Sequence, residues 1–296
     1  MFDRFTNRLT ITGTLVAHTA LRVGTGRSLE PIGAELPVLR DELGRPVIPG
    51  ASLKGVLRSY VESLVRAVTD DPQGACMSTG SEGDRCISPD EMKRIKRRFK
   101  DDDKGLADND KGLAEEVWEK SCLVCRTFGS PWLASHVWMS DLPVEGATWF
   151  GQFQARDGVA IDRDTGTVFE GQLYDYEVVP AGTRFECAIV AEGLEDWQLG
   201  MLWLGLQPLC RKEMAVGGFR SRGLGTVALD DFEARYFDLA SDALAGRRAT
   251  LLIDYVVSGE AGEKVKEQQA QKWVSAFRRE VAEQVLEEGS DAQTTD

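Results

Sequence analysis

Leu9-Thr10-Ile11-Thr12-Gly13-Thr14-Leu15-Val16 sets Leu9, Ile11, Gly13 and Leu15 against threonines and a valine. A period of two rich in β-branched residues predicts a strand. Downstream, the stretch from Gly24 to Gly50 holds five glycines and four prolines, which reads as a turn-rich connection. Then Leu53, Val56, Leu57, Tyr60, Val61, Leu64, Val65 and Val68 recur at three and four residues, an amphipathic helix starting at Ser52 or at Pro49-Gly50. Its opposite face carries Lys54, Arg58, Glu62 and Arg66 in one i, i+4 row. Gln172 to Glu192 reads as two strands around Pro180-Ala181-Gly182, and Leu194 to Leu209 as a second, very apolar helix. A strand follows from Thr226 to about Phe237. Strand, helix, two strands, helix, strand is the order of a ferredoxin-like unit, so the fold class expected is α+β.

Two segments stand outside that pattern. Asp70 to Lys120 is dominated by Gly, Ser, Asp and Lys, and reads as a partly mobile insertion with a short charged helix. At the end, Trp273, Phe277, Val281 and Val285 lie four apart on a last helix, ahead of a polar tail from Gly289. That helix is expected to pack on its own domain rather than on a neighbour. The expected domains are 1–69 with 121–258 as one discontinuous unit, 70–120 as the insertion, and 259–296 as helix and tail.

Of the 296 residues, 35 are Lys or Arg and 48 are Asp or Glu, a net charge of −13. That balance argues against a protein that coats nucleic acid with its whole surface, but not against a local basic track. Residues 1–68 carry nine basic and six acidic residues, and residues 259–296 five and nine. A polyanion would therefore find its site in the first quarter of the chain. No apolar run approaches the ~20 residues of a membrane span, and no signal peptide is evident at Met1 to Thr10, so a cytoplasmic protein with no membrane partner is expected.

The chemistry-bearing residues narrow the choice further. Only His18 and His136 are present, with no His-Glu-x-x-His pair, which excludes zinc-protease chemistry. Cys122-Leu123-Val124-Cys125 is a C-x-x-C pair, and Cys76 and Cys86 lie at the other end of the insertion. Four thiolates there could close a structural Zn²⁺ site and clip a long loop; buried free thiols are the alternative. A zinc deaminase is excluded, since Ser121 precedes the pair and no His-x-Glu exists. Gly217-Gly218-Phe219-Arg220-Ser221-Arg222-Gly223-Leu224-Gly225 packs four glycines and two arginines into nine residues. Backbone N–H groups and guanidinium forks of this kind suit phosphate, although a tight connection with incidental arginines has the same composition. The dinucleotide fingerprint is rejected, because a helix precedes the segment and a strand follows it. No Walker A motif is present.

Taken together, these segments resemble the RAMP superfamily of CRISPR proteins, and within it the repeated backbone subunit of type III effector complexes. Four stretches carry the resemblance, in family order: Ile32 to Asp41 leading into Ile48 to Gly55, Cys122 to Gly129, Gly158 to Gly166 with Asp175 to Gly182, and Gly217 to Gly225. The resemblance implies an RRM-like ferredoxin core, a thumb hairpin over roughly Gln154 to Tyr174, and a metal-containing insertion. It also implies guide RNA, target RNA and other complex subunits as partners. Ser52, Lys54 and Arg58 on the first helix, Arg220, Ser221, Arg222 and Gly223 in the glycine-rich segment, and Arg163 in the thumb become the expected RNA-binding residues. An Arg58–Glu62 pair on a solvated face is the plainer account of the helical row. Arg22 and Arg27 are further candidates for guide phosphate, in a loop whose conformation the sequence leaves open.

Family members that cleave target RNA carry an early-loop Asp, and Glu35 stands at that position here. Its carboxylate would hold Mg²⁺ or another divalent ion, or orient a ribose 2′-hydroxyl. Glu reaches ~1.5 Å further than Asp, and misplacements of ~1 Å cost about a hundredfold in rate. Two readings stay open: a metal-dependent endoribonuclease acting through Glu35, and a scaffold that holds guide RNA while sister subunits cut. Glu30 and Asp41 are nearby carboxylates off the family position.

Overall fold

The computed structural model describes residues 4–27, 33–69, 74–77, 80–100, 106–240, 246–259 and 262–291. In chain order the strands and helices are β1 (Asn7–Ala17), β2 (Val47–Ile48), α1 (Gly50–Arg66), α2 (Pro89–Lys100), α3 (Leu106–Lys120), α4 (Leu123–Phe128), β3 (Val137–Met139), β4 (Leu142–Pro143), β5 (Gln154–Ile161), β6 (Val168–Val178), β7 (Arg184–Glu192), α5 (Asp196–Cys210), β8 (Met214–Ala215), β9 (Thr226–Asp238), α6 (Arg248–Ser258), β10 (Glu263–Lys264) and α7 (Glu267–Asp291).

Alternation does what it predicts in β1. Leu9, Ile11 and Leu15 are fully buried, while Thr10, Thr12 and Thr14 keep some exposure. This strand is central: the main sheet runs β10-β9-β1-β7-β3, with β8 added on β9 and every neighbour antiparallel. Thus β1, α1, β3, β7, α5 and β9 follow one another in sequence, and β7 separates β1 from β3 in space. Helix α1 covers the sheet with Leu53, Leu57, Val61 and Val65. It stops at Arg66, and Val68, which the periodicity assigned to the helix, is instead exposed. Helix α5 opens with Glu195 and Gln198 serving each other's backbone, and lies beside α1 where Gly205 meets Val61.

The last helix does pack on its own chain. Trp273 of α7 is fully buried and meets Tyr236 edge-on at 5.0 Å. The crossing with α5 needs Gly200, where a Cβ would stand 2.1 Å from the Trp273 carbonyl oxygen. Gly200→Ala is therefore expected to destabilise the chain by about 1–3 kcal/mol through overpacking, read as a lower urea midpoint with unchanged slope.

Two elements differ from the sequence expectation. The insertion is not a loose charged loop: α2 and α3 form a helical hairpin with a small core of Ile87, Met92, Ile95, Val117 and Leu133. Its apolar residues recur at helical spacing, but charges at the intervening positions dominate the composition and mask them. Helix α6 was not foreseen either, and none of its residues is buried. Among the described residues, no helix is long and apolar enough to cross a membrane. The polar tail beyond Asp291 lies outside the described residues.

Candidate functional site

The four cysteines flanking the insertion come together. Cys122 caps α4 and its sulfur accepts the Cys125 N–H at 3.4 Å. Cys76 and Cys125 place their Sγ atoms 3.6 Å apart, and all four Sγ atoms lie within 4.8 Å of one another. A tetrahedral ion with Zn–S bonds of ~2.3 Å needs sulfurs about 3.8 Å apart, so the donor set fits. Thiol–thiol hydrogen bonding, from Cys122 first, draws Cys76 down strongly and Cys86 to about 7, while Cys125 is pushed up, chiefly by Cys122. Four sulfurs this close cannot all ionise without a cation among them.

Two members of the basic row on α1, Arg58 and Arg66, reach this centre. Arg58 donates to Cys125 Sγ at 3.3 Å, to the Gly129 carbonyl at 2.7 Å and to Glu62 at 2.7 Å. Lys54 donates to Ser135 Oγ at 2.6 Å and the Val137 carbonyl at 2.8 Å, and burial, followed by the Arg58 charge, lowers its pKa. Ser52 is half-buried in the first turn. The helix start already has an anion, since the Gly50 N–H donates to Asp141 Oδ1 at 2.8 Å. Arg58 and Lys54 thus have protein partners, and a phosphate at this helix start would meet a carboxylate.

A second constellation forms where three distant segments meet. The early loop lies along the base of the β5–β6 hairpin: Leu36 bridges Tyr176, the Glu177 N–H donates to the Leu36 carbonyl, and the Glu35 N–H donates to Asp175 Oδ1 at 2.9 Å. Glu177 fixes the loop from the other side, accepting from the Val38 N–H at 3.2 Å and from Arg40 at 2.8 Å. The result is a cavity of about 440 Å³ lined by Arg27, Glu35, Leu36, Leu173, Tyr174, Phe219 and Arg222. Arg27 pairs with Glu35 at 3.0 Å, Arg222 hydrogen-bonds the Tyr174 hydroxyl, and Arg222 stands 4.7 Å from the Phe219 ring centre.

The glycine-rich segment turns through a single 3-10 turn, Arg220–Arg222, between two left-handed residues, Phe219 and Gly223. Arg220, Ser221, Arg222 and Gly223 are all exposed. Two of its four glycines, Gly217 and Gly225, are required by packing. A Cβ at Gly217 would fall 2.2 Å from the Arg22 carbonyl oxygen, and one at Gly225 would fall 2.2 Å from that of Val216. Arg163 sits exposed in the turn at the hairpin tip, which Asp162 holds by accepting the Asp164 and Thr165 N–H groups. Asp41 is a turn builder, accepting from the Leu43 and Arg45 N–H groups and the Arg45 side chain. Glu30 lies outside the described residues. Sequence reasoning did not single out Tyr174, Asp175 or Phe219. The signal for Tyr174 and Asp175 was the alternation Tyr174-Asp175-Tyr176-Glu177, which puts carboxylates and rings on opposite faces of one strand.

The model for the RAMP superfamily matches residues 14–228. Among curated proteins, the chain is similar to the CRISPR system Cms endoribonuclease Csm3 of Mycobacterium tuberculosis, 45% identical over 65 residues, or 21% of this chain and 28% of the relative. The protein of that name in Methanothermobacter thermautotrophicus is 41% identical over 75 residues, 25% of this chain and 31% of the relative. The one in Methanocaldococcus jannaschii is 23% identical over 231 residues, 76% and 80% of the two chains. The chain thus spans under a third of the length of the first two relatives and most of the third. With the family match running from β1 through the glycine-rich turn, the chain belongs to the RAMP superfamily.

Proposed function

We propose that this chain is a guide-RNA-binding backbone subunit of a type III CRISPR interference complex, and that it cleaves guide-paired target RNA through Glu35. The observation that carries the reading is the cavity joining Glu35, Tyr174 and Arg222, three residues scattered in sequence. Cations, an aromatic face and one carboxylate at a hairpin base suit a nucleic-acid backbone threaded past a reactive group. The strand order β9-β1-β7-β3 with α1 and α5 as crossovers supports a ferredoxin-like, RRM-related core, and the exposed β5–β6 hairpin supports a thumb. Guide RNA, target RNA and neighbouring subunits would be its partners, in the cytoplasm.

Cys76, Cys86, Cys122 and Cys125 would hold a structural Zn²⁺, whose bonds would fasten the insertion to α4 and leave no open ligand position. Glu35 and the adjacent Asp175 offer the hard oxygen donors a Mg²⁺ takes, and that ion would neutralise charge developing on the scissile phosphate. Arg27 pairs with the Glu35 carboxylate at 3.0 Å in the meantime. The same ion pair favours the second reading, a scaffold whose Glu35 is already engaged.

The test is guide retention. Arg220→Ala with Arg222→Ala is expected to weaken binding of a guide-length RNA about tenfold or more and to flatten its salt dependence by about two units of slope. Fluorescence anisotropy across a salt series measures both, and unchanged affinity and slope would remove the glycine-rich turn from the RNA site.

A further inference from the structure

Arg58 is half-buried on α1, and each nitrogen of its guanidinium has a different acceptor. Nε donates to Glu62 Oε1 at 2.7 Å, Nη1 to the Gly129 carbonyl at 2.7 Å, and Nη2 to Cys125 Sγ at 3.3 Å. Two of those acceptors belong to the C-x-x-C helix, since Cys125 lies within α4 and Gly129 caps its end. The third, Glu62, also faces Arg66 at 3.6 Å, so one carboxylate steadies both arginines from their own helix. The planar fork of an arginine suits such divided use, because its donors point in fixed directions.

An Arg–Glu pair four residues apart on a helix is complete without a sulfur, so the other two contacts need their own account. Gly129 has a φ of 86°, and a Cβ there would stand 2.9 Å from the Ser135 nitrogen, so the carbonyl that receives Nη1 has little room to move. Lys54, one turn earlier, does not compete for the sulfur, because its Nζ already serves Ser135 Oγ and the Val137 carbonyl. One turn or two further on, Arg66 reaches the carbonyls of Ala75 at 3.4 Å and Cys76 at 3.3 Å. Helix α1 thus touches both halves of the cysteine set through arginines, the Cys76 segment with one and the C-x-x-C helix with the other.

Four thiolates carry more negative charge than one divalent cation cancels, and burial makes that excess costly unless a donor faces it. We propose that Arg58 is the positioning residue of this centre: its guanidinium, oriented by Glu62, fixes the Cys125 sulfur as a metal ligand and strengthens metal binding. An N–H bonded to a ligand sulfur sets where that sulfur lies and withdraws electron density from it, which is how partners behind the ligands tune a metal site. The proposal rests on the structural Zn²⁺ reading above. It moves Arg58 from the guide-binding set to the metal centre, since three acceptors leave its fork nothing to offer a phosphate.

The test uses the full chain, with Arg58→Met, Arg58→Lys and Glu62→Gln beside the parent. Competition with a chromophoric chelator gives the Zn²⁺ affinity, and the Co²⁺-loaded chain gives the thiolate-to-metal charge-transfer band. Arg58→Met is expected to weaken Zn²⁺ binding about tenfold or more, with Lys recovering part of the loss. Its charge-transfer band is expected at longer wavelength, because losing the N–H bond raises the energy of the sulfur lone pairs. Glu62→Gln keeps the guanidinium but loosens it, and should show both changes in lesser degree. An unshifted band in Arg58→Met, whatever its melting temperature, would overturn the proposal and mark Arg58 as a strut between two helices. Parent-like Zn²⁺ affinity in that variant would overturn it as well, and either result leaves the Zn²⁺ reading standing. Should Arg58→Met not fold, a parent-like band and affinity in Glu62→Gln overturn it instead. A parent that binds neither Zn²⁺ nor Co²⁺ brings down the proposal and the Zn²⁺ reading together.

Discussion

Cys125→Ser is expected to lower the stability of the chain by about 3 kcal/mol or more, since structural zinc contributes about 10–16 kcal/mol to small metal-dependent folds and the fourth ligand carries a share of it. The effect is large here because Cys125 joins three things. It faces Cys76 across the base of the insertion, its N–H serves Cys122, and its sulfur receives Arg58 from α1. With the sulfur gone, Arg58 keeps Glu62 and Gly129, but the insertion loses one of the four ligands that would tie it to the core. Thermal unfolding with and without a strong chelator reads this out. The parent should drop sharply with chelator, and the variant should start low and respond little. Cys187→Ser is the control: Cys187 is buried in β7 away from the cluster, its thiol pushed up to about 12 by burial, and its loss should leave the chelator response intact. A parent indifferent to chelator would contradict the metal assignment.

Glu35→Ala is expected to reduce cleavage of a guide-paired RNA by about a hundredfold or more in the assembled complex with Mg²⁺, the usual scale for losing a positioned acid–base or metal-holding group. The loop is held well enough for position to matter, since the Glu35 N–H is fixed by Asp175 and the next residues by Glu177. Arg27 is no obstacle to this. The pair is exposed, 74% and 40% on its two side chains, and such pairs are weak enough to yield to a phosphate or metal. Glu35→Asp should restore cleavage, because it returns the carboxylate to the family length. Product unchanged by Ala, with guide RNA still bound, would make this chain a scaffold and its neighbours the nuclease.

Much of the architecture was legible because the signals were periodic. Leu9, Ile11 and Leu15 announce the central strand, Leu53 to Val65 the first helix, and Trp273 to Val281 a last helix that does bury its tryptophan. The C-x-x-C pair and the distant Cys76 and Cys86 were legible as a set, and they do converge. The site was less legible, for physical reasons. The resemblance made Lys54 and Arg58 RNA-binding residues, with a solvated Arg58–Glu62 pair as the plainer account; the chain folds Ser135, Gly129 and Cys125 over them, and no local pattern encodes that. Arg22 was legible as a candidate for guide phosphate but not as a buried residue, because Gly217 and Gly218 close against its backbone only in the fold. Helix α6 escaped because its apolar residues are nearly continuous and none is buried, so there was no core face to mark.

RNA is expected to run through the corner where the early loop, the hairpin base and the glycine-rich turn meet. Ultraviolet cross-linking of bound uridine-containing guide RNA, followed by peptide mass spectrometry, tests it directly, because the rings there lie within reach of bases on such a path. The account predicts cross-linked peptides carrying Tyr174, Tyr176 or Phe219. Cross-links confined to Trp118 and Trp132 beside the insertion would contradict it and move the RNA path to the helical hairpin.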